Sequence, residues 1–153
     1  MRRLPPGVQN ALTALHCAVV RGSGWRIGGR ISSLPVVLLT TRGRRSGKAR
    51  TVPLMYLDDG GYVLVGSNGG APGDPGWVLN LRAAPETTIR VAAGQAEVRA
   101  EEVADPAEYD RLWQRIVAVA PQYATYAGRT DRRIPLVRLQ PAGDASRTAR
   151  AAE

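Results

Sequence analysis

The chain has 153 residues, a formal net charge of +8, one Cys, one His and no Phe. Its length fits one domain with its own core, and the lone cysteine excludes an internal disulfide and points to a reducing compartment. The adjacent His16 and Cys17 cannot assemble a tetrahedral zinc site, no metal is expected, and no apolar run is long enough to span a membrane.

Residues 7–20 read as an amphipathic helix, with Val8, Leu12, Leu15 and Val19 on the core face. Arg2 and Arg3 suit a signal peptide, but Gln9, Asn10 and His16 interrupt its apolar core. That leaves a helix packed on the domain, or a basic helix resting on a membrane surface. Residues 21–34 form a basic, glycine-rich connector in which Trp25 is a packing anchor. Strands are expected over residues 36–41, 51–57 and 62–66, the last two joined by an Asp58-Asp59-Gly60-Gly61 turn that accepts positive φ. A short helix over residues 77–82 follows a Pro/Gly turn, with Trp77 and Leu81 on one face. Residues 87–92 and 95–103 alternate in polarity around Gly94 and read as a second hairpin. Its outward residues Arg90, Glu97, Arg99 and Glu101 read as solvated cross-strand pairs. Asp105, Pro106 and Glu108 start the next helix as cap, first residue and third residue, and Leu112, Ile116 and Val119 face the core. Pro121 breaks it, and residues 122–128 add a turn or two that place Tyr123 and Tyr126 on one face. A last strand covers residues 134–139, where Pro135 suggests an edge, and residues 141–153 read as a disordered tail.

Strands that succeed one another through tight turns make a mostly antiparallel sheet, because parallel pairing needs long crossovers. The expected fold is therefore mainly β with flanking helices (α+β), closed into a small barrel. The expected layout is an N-terminal helix and connector (residues 1–33), the barrel (34–140) and the tail (141–153).

Residues 42–50 hold five cations, Arg42, Arg44, Arg45, Lys48 and Arg50, with no acid among them. Arginine side chains and glycine-freed backbone N–H groups are how a protein grips phosphate or carboxylate. The glycine spacing is wrong for a phosphate-binding P-loop, and the segment does not open a helix, so it is no dinucleotide fingerprint. A small anionic ligand, a solvated basic turn and nucleic acid are the three readings, the last weakened by sparse stacking aromatics. Ser67-Asn68-Gly69-Gly70 is either a plain turn or a place where backbone approaches a flat ring. Tyr123 and Tyr126 either pack in the core or hydrogen-bond a carbonyl or nitro oxygen as charge develops on it. A Ser-His triad is disfavoured, since the single histidine sits on the N-terminal helix.

Three ordered blocks, TTRGRRSGKARTVPLMYLDDGGYVLVGSNGG, GDPGWVLNL and PQYATYAGRTDRRIPLVRL, resemble the deazaflavin-dependent nitroreductase and quinone reductase family over residues 34–140. This is a family of small actinobacterial split β-barrel proteins, related to the flavin-mononucleotide-binding split barrels. The resemblance implies the 8-hydroxy-5-deazaflavin coenzyme F420 as cofactor, and hydride transfer to a quinone-like or other electron-poor acceptor. It assigns Arg44, Arg45, Ser46, Gly47 and Arg50 to the phosphate and acidic tail of the coenzyme. Val52 and Pro53 then line the ring pocket, Ser67, Asn68, Gly69 and Gly70 border the ring, and Trp77 and Asn80 close the wall. Tyr123, Tyr126 and Ser67 are the implied catalytic candidates, and Met55, Tyr123 and Tyr126 the implied substrate contacts. Asn68 departs from the lysine of many members, Met55 from the tyrosine of some, and Ala120 from the third tyrosine of nitroreducing members. The partner expectations are a small-molecule acceptor, no nucleic acid, peripheral membrane contact through the first helix, and a monomer or weak dimer. The expected location is cytoplasmic, at or near the inner face of the membrane. The alternative function is a non-catalytic binder of the same coenzyme or of another anion.

Overall fold

The computed structural model describes residues 13–15, 17–19, 30–31 and 34–143. Seven strands are described: β1 (Arg30–Ile31), β2 (Leu34–Arg42), β3 (Ala49–Asp58), β4 (Tyr62–Val65), β5 (Glu86–Val91), β6 (Gly94–Glu102) and β7 (Leu136–Pro141). Three helices join them: α1 (Gly76–Ala83), α2 (Pro106–Val119) and α3 (Gln122–Ala127). The sheet order is β1-β2-β3-β4-β7-β6-β5, and β5 pairs back onto β2. Every pairing is antiparallel, so β2 to β7 close a six-stranded barrel with helices outside, as expected.

Alternation along the strands divides the apolar residues between two cores. Val37, Leu39, Leu64, Ile89, Val98, Val137 and Leu139 fill one cluster, and Trp77, Val78 and Leu81 of α1 pack into it. Leu57, Val63, Val65 and Leu136 face the other way, onto Leu112 and Ile116 of α2 and Tyr123 of α3. Strand β2 runs past its apolar stretch because its threonines have partners. Thr40 Oγ1 lies 2.8 Å from Thr51 Oγ1 directly across the ladder, and Thr87 Oγ1 donates to the Thr40 carbonyl. Asp105 caps α2 as expected, its carboxylate accepting the Glu108 N–H at 2.9 Å.

Several expectations are corrected. Residues 13–15 and 17–19 are helical, but Leu15 and Val19 are exposed (62% and 39%), while Cys17 is buried against Leu38. Over its described residues the helix thus turns Cys17, not Leu15 or Val19, to the barrel. Val119 is likewise exposed at the end of α2. Part of the connector pairs as β1, Arg30 and Ile31 opposite Pro35 and Leu34. Strand β7 is central, between β4 and β6; Pro135 precedes it, and its carbonyl accepts the Gly66 N–H at 2.8 Å. Pro141 belongs to β7, paired with Val98. The outward hairpin residues Arg99 and Arg90 do make the expected cross-strand contacts, with their register partners Glu86 and Gln95 on the facing strands. The rest of the first helix with Val8 and Leu12, the Trp25 anchor and the tail beyond Gly143 lie outside the described residues.

Candidate active site

The basic loop joins β2 to β3. Gly43 N–H donates to the Lys48 carbonyl at 2.8 Å and Gly47 N–H to the Gly43 carbonyl at 2.7 Å. Gly47 takes φ +68°, a conformation costly for a side-chain-bearing residue. A Cβ on Gly43 would lie 2.6 Å from Ser46 Oγ. Glycine there lets the Ser46 hydroxyl fold inward, where it accepts from Lys48 N–H at 3.3 Å. The fold of the loop leaves Arg44, Arg45, Lys48 and Arg50 exposed.

Asn80 fixes this loop to the barrel. It is buried (6% exposed) on α1. Its Oδ1 accepts from both the backbone N–H and the guanidinium of Arg44, each at 3.2 Å, and its Nδ2 donates to Thr41 Oγ1 at 3.0 Å. A cavity of about 530 Å³ opens beside it, lined by Thr13, Thr41, Gly43, Arg44, Arg45, Ser46, Arg50, Val52, Pro75, Gly76, Trp77 and Asn80. Helix α1 begins at Gly76 on the cavity wall, with no side chain capping its first turn. The positive end of its dipole therefore adds to the arginines. Among the described residues, none of Arg42, Arg44, Arg45, Lys48 and Arg50 is ion-paired, whereas Arg82, Arg99, Arg111, Arg115, Arg132 and Arg138 all are.

The other predicted residues gather around α3. Asn68, Gly69 and Gly70 form a 3₁₀ turn in which all three have positive φ. Asn68 Nδ2 donates to the Gly73 carbonyl at 2.9 Å, so its side chain closes the loop. A Cβ on Gly70 would come within 2.6 Å of the Tyr126 carbonyl, so the close approach that Gly70 permits is with α3. Ser67 is buried. Tyr123 is also buried (5% exposed) with its ring edge-on to Tyr126, centroids 5.9 Å apart. Burial, and then the neighbouring Tyr126, push its phenol up to about 12, so it stays protonated at neutral pH. Met55 packs on the same cluster, and Arg129 lies over the Tyr126 ring at 5.6 Å.

The geometry thus brings Arg44, Arg45, Ser46, Arg50, Val52, Trp77 and Asn80 to one cavity, with Gly47 in its loop. It sets Met55, Ser67, Asn68, Gly69, Gly70, Tyr123 and Tyr126 around α3, and half-buried Pro53 stands on β3 between Val52 and the Met55 position. Residues 71–75 join the two groups. Residues 12–141 match the family model described as F420H(2)-dependent quinone reductase. The chain belongs to this family. An F420H(2)-dependent quinone reductase of Mycobacterium tuberculosis is 44% identical over 138 residues, 87% of this chain and 91% of that one. A solved F420-H2 dependent reductase shares 37% identity at a TM-score of 0.62, covering 69% of this chain and 94% of its own. Another solved chain, described as a domain-swapped dimer, shares 31% identity at a TM-score of 0.64, covering 86% and 99%.

For a quinone reductase of this family, Thr13, Thr41, Pro75 and Gly76 on the cavity wall were not singled out from the sequence. Thr41 directly precedes the cationic run and Pro75-Gly76 precede Trp77, so adjacency was the available signal. Thr13 had none, because helical periodicity does not say what a helix packs against. Arg132, described below, was hidden in a charged loop.

Proposed function

We propose that the chain carries out the reaction of its family, transferring a hydride from reduced coenzyme F420 to a quinone-like acceptor. The observation that carries this reading is that Arg44, Arg45 and Arg50, which have no ion-pair partner among the described residues, line a cavity at the start of α1. The donor set fits the coenzyme: exposed Arg44, Arg45 and Arg50 and the positive end of α1 suit its phosphate and acidic tail. When bound, the coenzyme supplies the hydride as a two-electron donor. Arg44 is pre-set by Asn80, so it reaches an anionic group with little side-chain ordering left to lose. Trp77 and Val52 give the cavity an apolar wall that excludes water from a flat ring. The Ser67–Gly70 turn and Tyr126 border the ring and acceptor in this reading. Tyr123, held neutral by burial, serves as a hydrogen-bond donor or packing wall rather than as a phenolate. The final proton comes from Tyr126, Ser67 or solvent.

Family membership favours a reductase over a carrier of the same coenzyme. Nitro acceptors stand as the second substrate class, weakened by Ala120, which stands where the resemblance allows nitroreducing members a third tyrosine. Exposed Leu15 and Val19 support contact of the first helix with an apolar surface, the inner membrane face being the expected one. The domain-swapped neighbour supports self-association. The test is titration with reduced and oxidised coenzyme, then addition of menadione while coenzyme absorbance is followed. Tight binding with menadione-dependent reoxidation is expected; binding without reoxidation leaves a carrier, and no binding overturns the reading.

A further inference from the structure

We propose that Arg132 is a positioning residue for coenzyme binding, holding residues 66–74 around its guanidinium. The inference rests on the functional reading above. Arg132 is only 16% exposed. Its Nε donates to the Ala71 carbonyl at 3.0 Å, and its Nη2 to the Gly66 and Ser67 carbonyls at 3.2 and 2.8 Å. Its Nη1 donates to Asp74 Oδ1 at 2.6 Å. One side chain thus satisfies three carbonyls of a loop that has no ladder to bond them.

That loop serves both halves of the site. It begins with the Ser67–Gly70 turn, which is seated against the Tyr126 carbonyl through Gly70. It ends at Asp74, next to Pro75 and Gly76 on the cavity wall. Asp74 is also bonded at 2.8 Å by Arg82, which sits in the last turn of α1. The planar fork of Arg132 therefore fixes the turn at one end and the entry to α1 at the other. A lysine cannot reproduce this, because its donors radiate from a single nitrogen. Arg138 offers an internal comparison. It is equally covered (16% exposed) and bonds Asp59 and Glu108, but it touches neither half of the site.

The experiment measures oxidised-coenzyme binding and thermal melting for the full chain, Arg132→Ala, Arg132→Lys and Arg138→Ala. Arg132→Ala is expected to raise Kd by about tenfold or more, ~1.4 kcal/mol, and lysine to restore little. Methylguanidinium added to Arg132→Ala is expected to recover binding, which a merely destabilised fold would not do. Arg138→Ala is expected to lower the melting temperature and leave Kd unchanged. Wild-type affinity in Arg132→Ala, or equal Kd shifts in the Arg132 and Arg138 variants, overturns the inference alone. A wild-type chain that does not bind overturns the functional reading and this inference with it. Should Arg132→Ala fail to fold, Asp74→Asn keeps the side-chain shape and removes the charge that orients Arg132; weakened binding supports the proposal and unchanged binding overturns it.

Discussion

Replacing Asn80 by leucine is a near-isosteric change that deletes three hydrogen bonds: two from Arg44 and one to Thr41. The Arg44 bonds are long and partly exposed, and the Thr41 bond is buried. Together they are worth about 2 kcal/mol of stability at typical net values. Their effect on binding is separate. Freeing the Arg44 side chain returns ordering entropy of about 0.5–1.5 kcal/mol, a loss of ~2–12-fold in affinity. Arg44→Ala removes the charged contact itself, about 1.5–3 kcal/mol. Because Asn80 is argued to act through Arg44, the two losses must not add. Fluorescence titration of the coenzyme against wild type, both single variants and the double variant closes the cycle. The double variant is expected to bind about as weakly as Arg44→Ala alone. Full additivity would refute the argument and make Asn80 an independent contact.

Arg44→Ala combined with Arg45→Ala is expected to weaken coenzyme binding more at low ionic strength than at high, since both side chains are exposed and the Debye length is about 10 Å at 0.1 M salt; equal loss at every salt concentration would contradict it. Gly70→Ala forces a Cβ against the Tyr126 carbonyl at φ +80° and should destabilise by several kcal/mol, whereas Gly47→Ala, at φ +68° in open space, should cost only about 1–2 kcal/mol, both read by urea unfolding. Asp59 is held well below the usual carboxylate range by hydrogen bonds from Arg111 and then Arg138, against the opposing effect of burial. Its folded-state value is depressed, so its contribution is full above the unfolded value of about 3.9 and declines as pH falls below it. Asp59→Asn should therefore cost about 1–3 kcal/mol near neutrality, and the gap from wild type should shrink in acid; a gap independent of pH would reject the assignment.

Much of the barrel was legible because its strands carry their own punctuation. Asp59, Gly60 and Gly61 end β3 in a hairpin, Gly94 marks the second one, and Asp105-Pro106 caps α2, all local signals. The errors fall where a non-local partner decides. Pro135 looks like an edge marker because proline cannot donate, yet it stands just before β7, where its carbonyl accepts from Gly66. Leu15 and Val19 satisfied helical spacing, but the face a helix buries depends on the surface it meets, and Leu38 accepts the smaller Cys17. At the site, the cationic loop announced itself by composition, whereas Thr13 and Arg132 become visible only once distant segments are brought together.

The positive charge of this chain falls into two classes that composition alone does not separate. Arg111, Arg115 and Arg138 converge on Asp59 at the β3–β4 turn, and Arg82 and Arg132 on Asp74. These hubs tie α2 to the first hairpin and α1 to the loop before it. Each carboxylate receives more than one guanidinium, and both are largely covered (14% and 17% exposed), which limits screening. The cations of residues 42–50 are the opposite case: exposed and without ion-pair partners among the described residues, with Arg44, Arg45 and Arg50 lining the cavity at the start of α1. A folded chain gains nothing from crowding like charges there, so the arrangement is strained until an anion arrives. Salt should accordingly act on the two classes in different ways. It should ease repulsion in the loop while weakening its grip on the coenzyme, and leave the hubs, and with them the barrel, nearly untouched.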